Sequence, residues 1–345
     1  MTRNQRRLGL ILAALAVSAG IYGMWWNGAA NAAQAELERW IDARRAAGFE
    51  ITHDGISKAG FPMRIELAVA NPRAAKGGRK PFSWQGPPEI QVEIRSLAPL
   101  QLILNARGRH VLEQDGKSIA ASFGKAQFSL TEGVFGPEAL HAEIEDAAAE
   151  GIWPTPVLLG RLDLDLARRF DIAPDDLQTP SASLSLGLEQ LTLPPEANPF
   201  PNSAVTRLSA QLSLKGPFPG ALKALPLRAW SEAGGILEVL NFHLDWAPLT
   251  LDGDGALALD GYLLPIAPFG LRAKGVFEAV DALEGQGLVP PENALLVKMA
   301  LAVLAREPPD PATGLMRLPL TLQGRELFLG AARIYRLPMP PWVEE

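Results

Sequence analysis

The stretch Ser181-Ala-Ser-Leu-Ser-Leu-Gly-Leu-Glu-Gln-Leu-Thr-Leu193 decides the fold. Leu184, Leu186 and Leu188 occupy alternate positions, with serine, glycine and glutamate around them. Successive side chains of a strand point to opposite faces, so this spacing predicts a β-strand with one apolar face. The same pattern recurs outward in both directions. Upstream it covers residues 139–146 and 158–166. Downstream it covers 208–214, 236–246, 249–251 and 255–264, and it closes with a hairpin of 318–322 and 326–331 about Gln323-Gly324. The dipeptide Asp252-Gly253 reads as the turn between two of these strands.

The first third of the chain follows the same grammar. Phe49, Ile51 and His53 alternate with polar residues, Gly55 reads as a turn, and Met63, Ile65, Leu67 and Val69 follow. Residues 71–88 are basic and rich in glycine and proline (Arg73, Lys76, Arg79, Lys80), which predicts an exposed loop or long hairpin tip. Alternation resumes at 89–97, continues through Leu100, Leu102 and Leu104, and recurs at 111–114, 118–123 and 126–130. Helical spacing marks 33–47, 222–233, 276–284 and 292–305, the last through Leu295, Leu296, Met299 and Val303. The tail, 337–342, is proline-rich and reads as extended. Without a regular βαβ rhythm, the expected class is α+β and β-rich, with curled antiparallel sheets forming a groove, half-barrel or sandwich. The expected divisions are 1–32, 33–193, a proline-rich linker or loop at 194–201, and 202–345.

Composition narrows the function. With 48% hydrophobic and 20% charged residues the chain is a folded protein. Its net charge of −6 argues against nucleic acid as a partner. The absence of cysteine excludes disulfides, thiolate metal sites and thiol nucleophiles. At the N-terminus the run LGLILAALAVSAGIYGMWW, from Leu8 to Trp26, carries no charge, and Arg3, Arg6 and Arg7 precede it. As a helix it would be about 28 Å long, enough to cross the hydrocarbon core of a bilayer. The arginines predict a cytoplasmic N-terminus with the main body exported, and Tyr22, Trp25 and Trp26 would lie at an interface. The alternative is a cleaved signal peptide with its site at Ala30-Asn31-Ala32.

Chemical motifs are sparse. Gly55-Ile-Ser57-Lys-Ala-Gly60 has one residue too many for a nucleophile elbow, and Gly116-Lys117-Ser118 lacks the first glycine of a phosphate-binding loop; both read as turns. His53, His110, His141 and His243 are scattered singly. Asp163 with Asp165, and Asp252 with Asp254, are carboxylates two apart on strands, where they share and solvate a face. No catalytic, cofactor or metal residue is assigned from these patterns.

Several stretches carry a resemblance. They are the helix with Trp40 ending at Gly48, the turn Gly60-Phe61-Pro62-Met63-Arg64, Leu227-Arg-Ala-Trp-Ser-Glu-Ala-Gly-Gly235, Trp246-Ala-Pro-Leu249, Leu257-Ala-Leu-Asp260 and the closing hairpin. Together they resemble the family catalogued as domain of unknown function 2125, of Gram-negative bacteria and without assigned activity. The layout is also similar to AsmA-like envelope proteins, with their N-terminal inner-membrane anchor and β-rich periplasmic body. The resemblance implies an inner-membrane protein with a periplasmic body. The alternating strands add the expectation of a non-enzymatic protein that binds or passes lipid, or another apolar ligand, along a sheet groove. The rival expectation is an interaction module of an envelope complex, working through a sheet edge or the basic 73–80 segment.

Overall fold

A computed structural model describes residues 3–95, 101–133, 136–173, 176–201, 203–217, 223–306, 308, 310 and 315–343, with side chains described at Leu12 and from residue 15 onward. The sequence readings at 96–100, at Leu222 and for the side chains of 3–11, 13 and 14 lie outside these residues. The chain divides into two compact units, Met1–Val134 and Phe135–Glu345.

The first unit opens with α1 (Arg3–Ala46), a single helix that absorbs the separately expected 33–47 segment. Gly48, at φ +85°, stops it with a backbone bond to Arg45. Nine strands follow: β1 (Glu50–Thr52), β2 (Ile56–Ala59), β3 (Ile65–Ala70), β4 (Arg73–Lys76), β5 (Phe82–Gln85), β6 (Glu89–Arg95), β7 (Gln101–Asn105), β8 (Gly108–Gln114) and β9 (Lys117–Gly133). Their pairings join them end to end. β1 and β2 lie along β4 and β3, those along β5 and β6, those along β8 and β7, and these along β9. The unit is thus an antiparallel meander of long strands, each of the first four broken once. The breaks fall at Asp54-Gly55, Asn71-Pro72, Gly86-Pro87-Pro88 and Ala106-Arg107. Backbone bonds join neighbours across this crease, from Asn71 to Pro88 (2.8 Å) and from Gly86 to Pro72 (2.9 Å). A Cβ at Gly108 would lie 2.9 Å from the Pro87 side chain, so glycine and proline meet where the strands bend.

Two readings are resolved as a result. Of the two forms expected for 71–88, a loop or a hairpin tip, the segment takes the second: β4 and β5 pair about a tip at 77–81, and its other glycines and prolines mark the crease. Ser57 lies on β2 rather than in a turn. The α1 helix packs on the sheet through Ala30, which is fully buried, together with Trp26, Ala33 and Leu37 over Ile65 and Leu67. Among the described residues no helix is long and apolar enough to cross a membrane.

The second unit is a meander of consecutive antiparallel strands: β10 (Gly136–Glu150), β11 (Val157–Arg168), β12 (Pro180–Thr192), β13 (Val205–Lys215), β14 (Ile236–Trp246), β15 (Leu249–Leu259), β16 (Pro265–Lys274), β17 (Met316–Gln323), β18 (Glu326–Leu329) and β19 (Ala332–Arg336). No described pairing links β10 to β19, so the sheet is open. Residues 194–201 join the paired neighbours β12 and β13. Helix α2 (Ala224–Glu232) follows β13, and α3 (Val276–Gly285) and α4 (Pro291–Leu304) follow β16.

Register turns the alternation into a surface. One ladder of directly opposed residues runs from Ile144 through Leu162, Leu188, Leu208 and Leu244 to Leu251. Two more lie beside it, through Leu164–Leu186–Ala210 and Leu166–Leu184–Leu212. The opposite face carries Glu143–Asp163 and Glu145–Arg161–Glu189–Arg207. Leu240 is the extra residue of a bulge in β14, which keeps Val239 and Phe242 on the apolar face although their spacing is odd.

Asp252-Gly253 is not a turn, because β15 runs straight through it; the chain reverses instead at Ala247-Pro248. Gly253 and Gly255 lie under the Leu271 and Phe269 side chains of β16, which occupy the space where a Cβ would stand. At the far end of the sheet α3 and α4 cover the apolar face, burying Val276 and Leu301 against Ala273, Leu318 and Leu329. The buried side of α4 is Ala294, Val297 and Leu301. The expected stripe of Leu295, Leu296, Met299 and Val303 is the exposed side.

Candidate functional site

Where α2 meets the sheet, the apolar face deepens into a cavity of about 680 Å³. Its floor is the ladder Leu214–Leu237–Leu257, extended by Leu259 and Leu322. Leu227 and Trp230 of α2 form one wall. Trp230 is held in place by its indole N–H, which donates to the Lys215 carbonyl at 2.9 Å. Gly235 leaves room for the ring, which occupies the place of its missing Cβ.

The roof is the C-terminal tail, residues 337–342. Its prolines fix φ and remove backbone donors, which keeps 337–340 out of helix and strand before a turn at 341–343. Two tethers hold it down. The Leu337 amide donates to the Arg325 carbonyl (2.7 Å), and Arg325 Nε donates back to the Leu337 carbonyl (2.9 Å). Further along, the Trp342 indole donates to the Leu263 carbonyl at 3.1 Å. Arg325 is the one charged residue among those lining the cavity. Concave, mostly apolar sites with few polar groups are the usual form of small-molecule pockets. The arrangement can hold a hydrocarbon chain out of water; among the lining residues there is no paired acid and base to act on it.

The sequence-marked polar residues lie elsewhere. His141 bonds Asp165 across β10 and β11 (2.7 Å), and His243 bonds Asp252 across β14 and β15 (2.8 Å), both on the polar face. Asp163 belongs to an ion cluster in which Arg161 also binds Glu143 and Glu145. Hydrogen bonding to Asp163 leads the causes that raise the Arg161 guanidinium pKa, with the surrounding carboxylates adding to it. Asp254 faces Arg272 at 3.8 Å. In the first unit His53 accepts the Gly55 amide, and His110 lies between the Trp84 and Phe123 rings. Among the described residues no group of three potential ligands converges on one point. Gly116-Lys117-Ser118 begins a hairpin strand, with Asp115 and Gly116 both at positive φ.

Nothing local in the sequence links the tail to the cavity. The proline-rich end carries no helix or strand over 337–340 and turns at 341–343, and the partner of Trp342 is 79 residues away at Leu263. The apolar residues flanking the prolines, Leu337, Met339 and Trp342, are the one signal that the tail covers something.

The second unit is thus an open antiparallel meander with one apolar face and a roofed apolar pocket. The chain belongs to the family described as an uncharacterised protein conserved in bacteria, domain of unknown function 2125, which it matches over residues 26–338. It matches no curated protein and no solved structure, and the looser likeness to AsmA-like proteins gains no support from these comparisons.

Proposed function

We propose that the protein is a non-enzymatic, inner-membrane-anchored envelope protein that holds or passes lipid along the apolar face of its second unit. The observation that carries this reading is the unbroken set of apolar ladders leading into the roofed cavity. Leu164, Leu186 and Leu208 on that face stay only half-buried, where an ordinary core would cover them fully.

The anchor rests on the first unit. Leu12, Leu15, Val17 and Ile21 of the apolar run stand exposed on α1. Just beyond them, Tyr22 and Trp26 donate to the Pro62 and Arg64 carbonyls of the turn at 60–64. Phe61 packs on both rings, while Met63 is 70% exposed. An apolar turn beside interfacial aromatics suits the headgroup level of a bilayer. The burial of Ala30 makes the 26–37 segment part of the folded unit, which supports a retained helix over cleavage after Ala32.

The test is extraction of the membrane-embedded chain without detergent, followed by mass spectrometry and by photo-crosslinking with an acyl diazirine. Co-purified lipid and adducts on Leu186 or Leu212 are expected. If neither is found, the lipid reading fails. A second reading, an interaction module of an envelope complex, is favoured by the exposed apolar side of α4. It expects protein crosslinks at Met299 in place of lipid adducts on the sheet.

A further inference from the structure

The cavity has one feature that a store for plain hydrocarbon does not need. Arg325 lines it, half-buried, beside the tail. Among the described residues it has no acidic partner; its Nε–H is used on the Leu337 carbonyl, which fixes the side chain and leaves the terminal N–H groups of the fork for another acceptor. The nearby carboxylates are engaged elsewhere. Glu326 binds Arg333, and Asp260 accepts the Tyr262 and Leu264 amides.

An arginine at the edge of an apolar cavity, with terminal N–H groups that no described residue accepts, is a site for an anion. Leu214, Leu237 and Trp230 supply the place for a chain attached to it. We infer that the cavity takes an amphiphile with a single anionic head, the head on Arg325 and the acyl chain on the floor beneath the tail. This rests on the lipid reading above and adds the headgroup to it. Charge decides the ligand here because the walls offer any chain the same contact. A charge-assisted bond in such surroundings is worth about 10- to 100-fold in affinity over a neutral head.

The experiment uses the full chain in nanodiscs and three alkyl-diazirine probes of equal length, ending in a carboxylate, a phosphate or a hydroxyl. Adducts on the α2 and tail peptides are quantified against probe concentration. At least one anionic probe should half-saturate at about 10-fold lower concentration than the hydroxyl probe. Which anion wins separates a fatty acid from a phosphate-headed lipid. In Arg325→Gln that preference should vanish, and in Arg325→Lys it should persist in part, since the charge remains but the fork is lost. Because the readout is the ratio between probes, general loosening of the tail would lower all three together and leave the ratio standing. Equal labelling by all three probes in the parent chain overturns the anionic head but leaves the groove. Labelling by none of them overturns both.

Discussion

Gly275 stands at the start of α3 with φ +73°, and a Cβ there would run into the Pro248 carbonyl oxygen. Gly275→Ala should therefore combine left-handed strain with overpacking, a cost of about 3 kcal/mol. The measurable result is a Tm lower by roughly 6–12 °C. Gly60 is a comparable case, since a Cβ at its φ of +96° would lie 2.7 Å from the Arg64 carbonyl that anchors Trp26. Acid sensitivity is also a property of single residues. The Asp176 carboxylate accepts the Thr179 and Gln178 amides, and these bonds hold its pKa below the usual range. A depressed carboxyl stabilises the fold above its unfolded value and loses that contribution as pH falls through the folded one. The stability difference between the parent and Asp176→Asn should thus be largest near pH 7. It should shrink below about pH 4, as a pH series of thermal melts would show.

Elements give sharper contrasts. Leu301 is buried in the α4 contact and Leu295 is 58% exposed on its other side. Leu301→Ala should cost about 2–5 kcal/mol, whereas Leu295→Glu should stay within roughly 0.5 kcal/mol by urea unfolding. A large loss at Leu295 would mean that α4 packs through the opposite side. The α4 sequence shows why spacing misled: apolar residues lie all round this helix, so periodicity marks no unique buried side. The strands are more legible, because register places Leu184, Leu186 and Leu188 opposite leucines of β11. Where strands were misjudged, local turn chemistry had outweighed long-range packing. Gly253 looks like a hairpin residue until Leu271 is seen above it, and Pro87 looks like loop until it lies buried against Gly108. The turn at 60–64 offers its own test in a chain without cysteines. A fluorophore on Met63→Cys in nanodiscs should be quenched by lipid-borne spin labels, and one on Asp115→Cys at the β8–β9 turn should be less so. Equal quenching would remove the turn from the bilayer surface.

At the level of the whole molecule, length and alternation sufficed for an antiparallel, strand-rich protein. The cavity stayed hidden because its roof and floor meet only through tertiary contacts, as Trp342 with Leu263 shows. The order of strands has a further consequence. In the second unit every strand pairs with its neighbour in the chain, from β10 through to β19. No strand must wait for one beyond its neighbour in the chain, so the sheet can lengthen one strand at a time behind a point of emergence. A chain delivered N-terminus first could zip up as it arrives, and the last piece to settle would be the tail that closes the pocket.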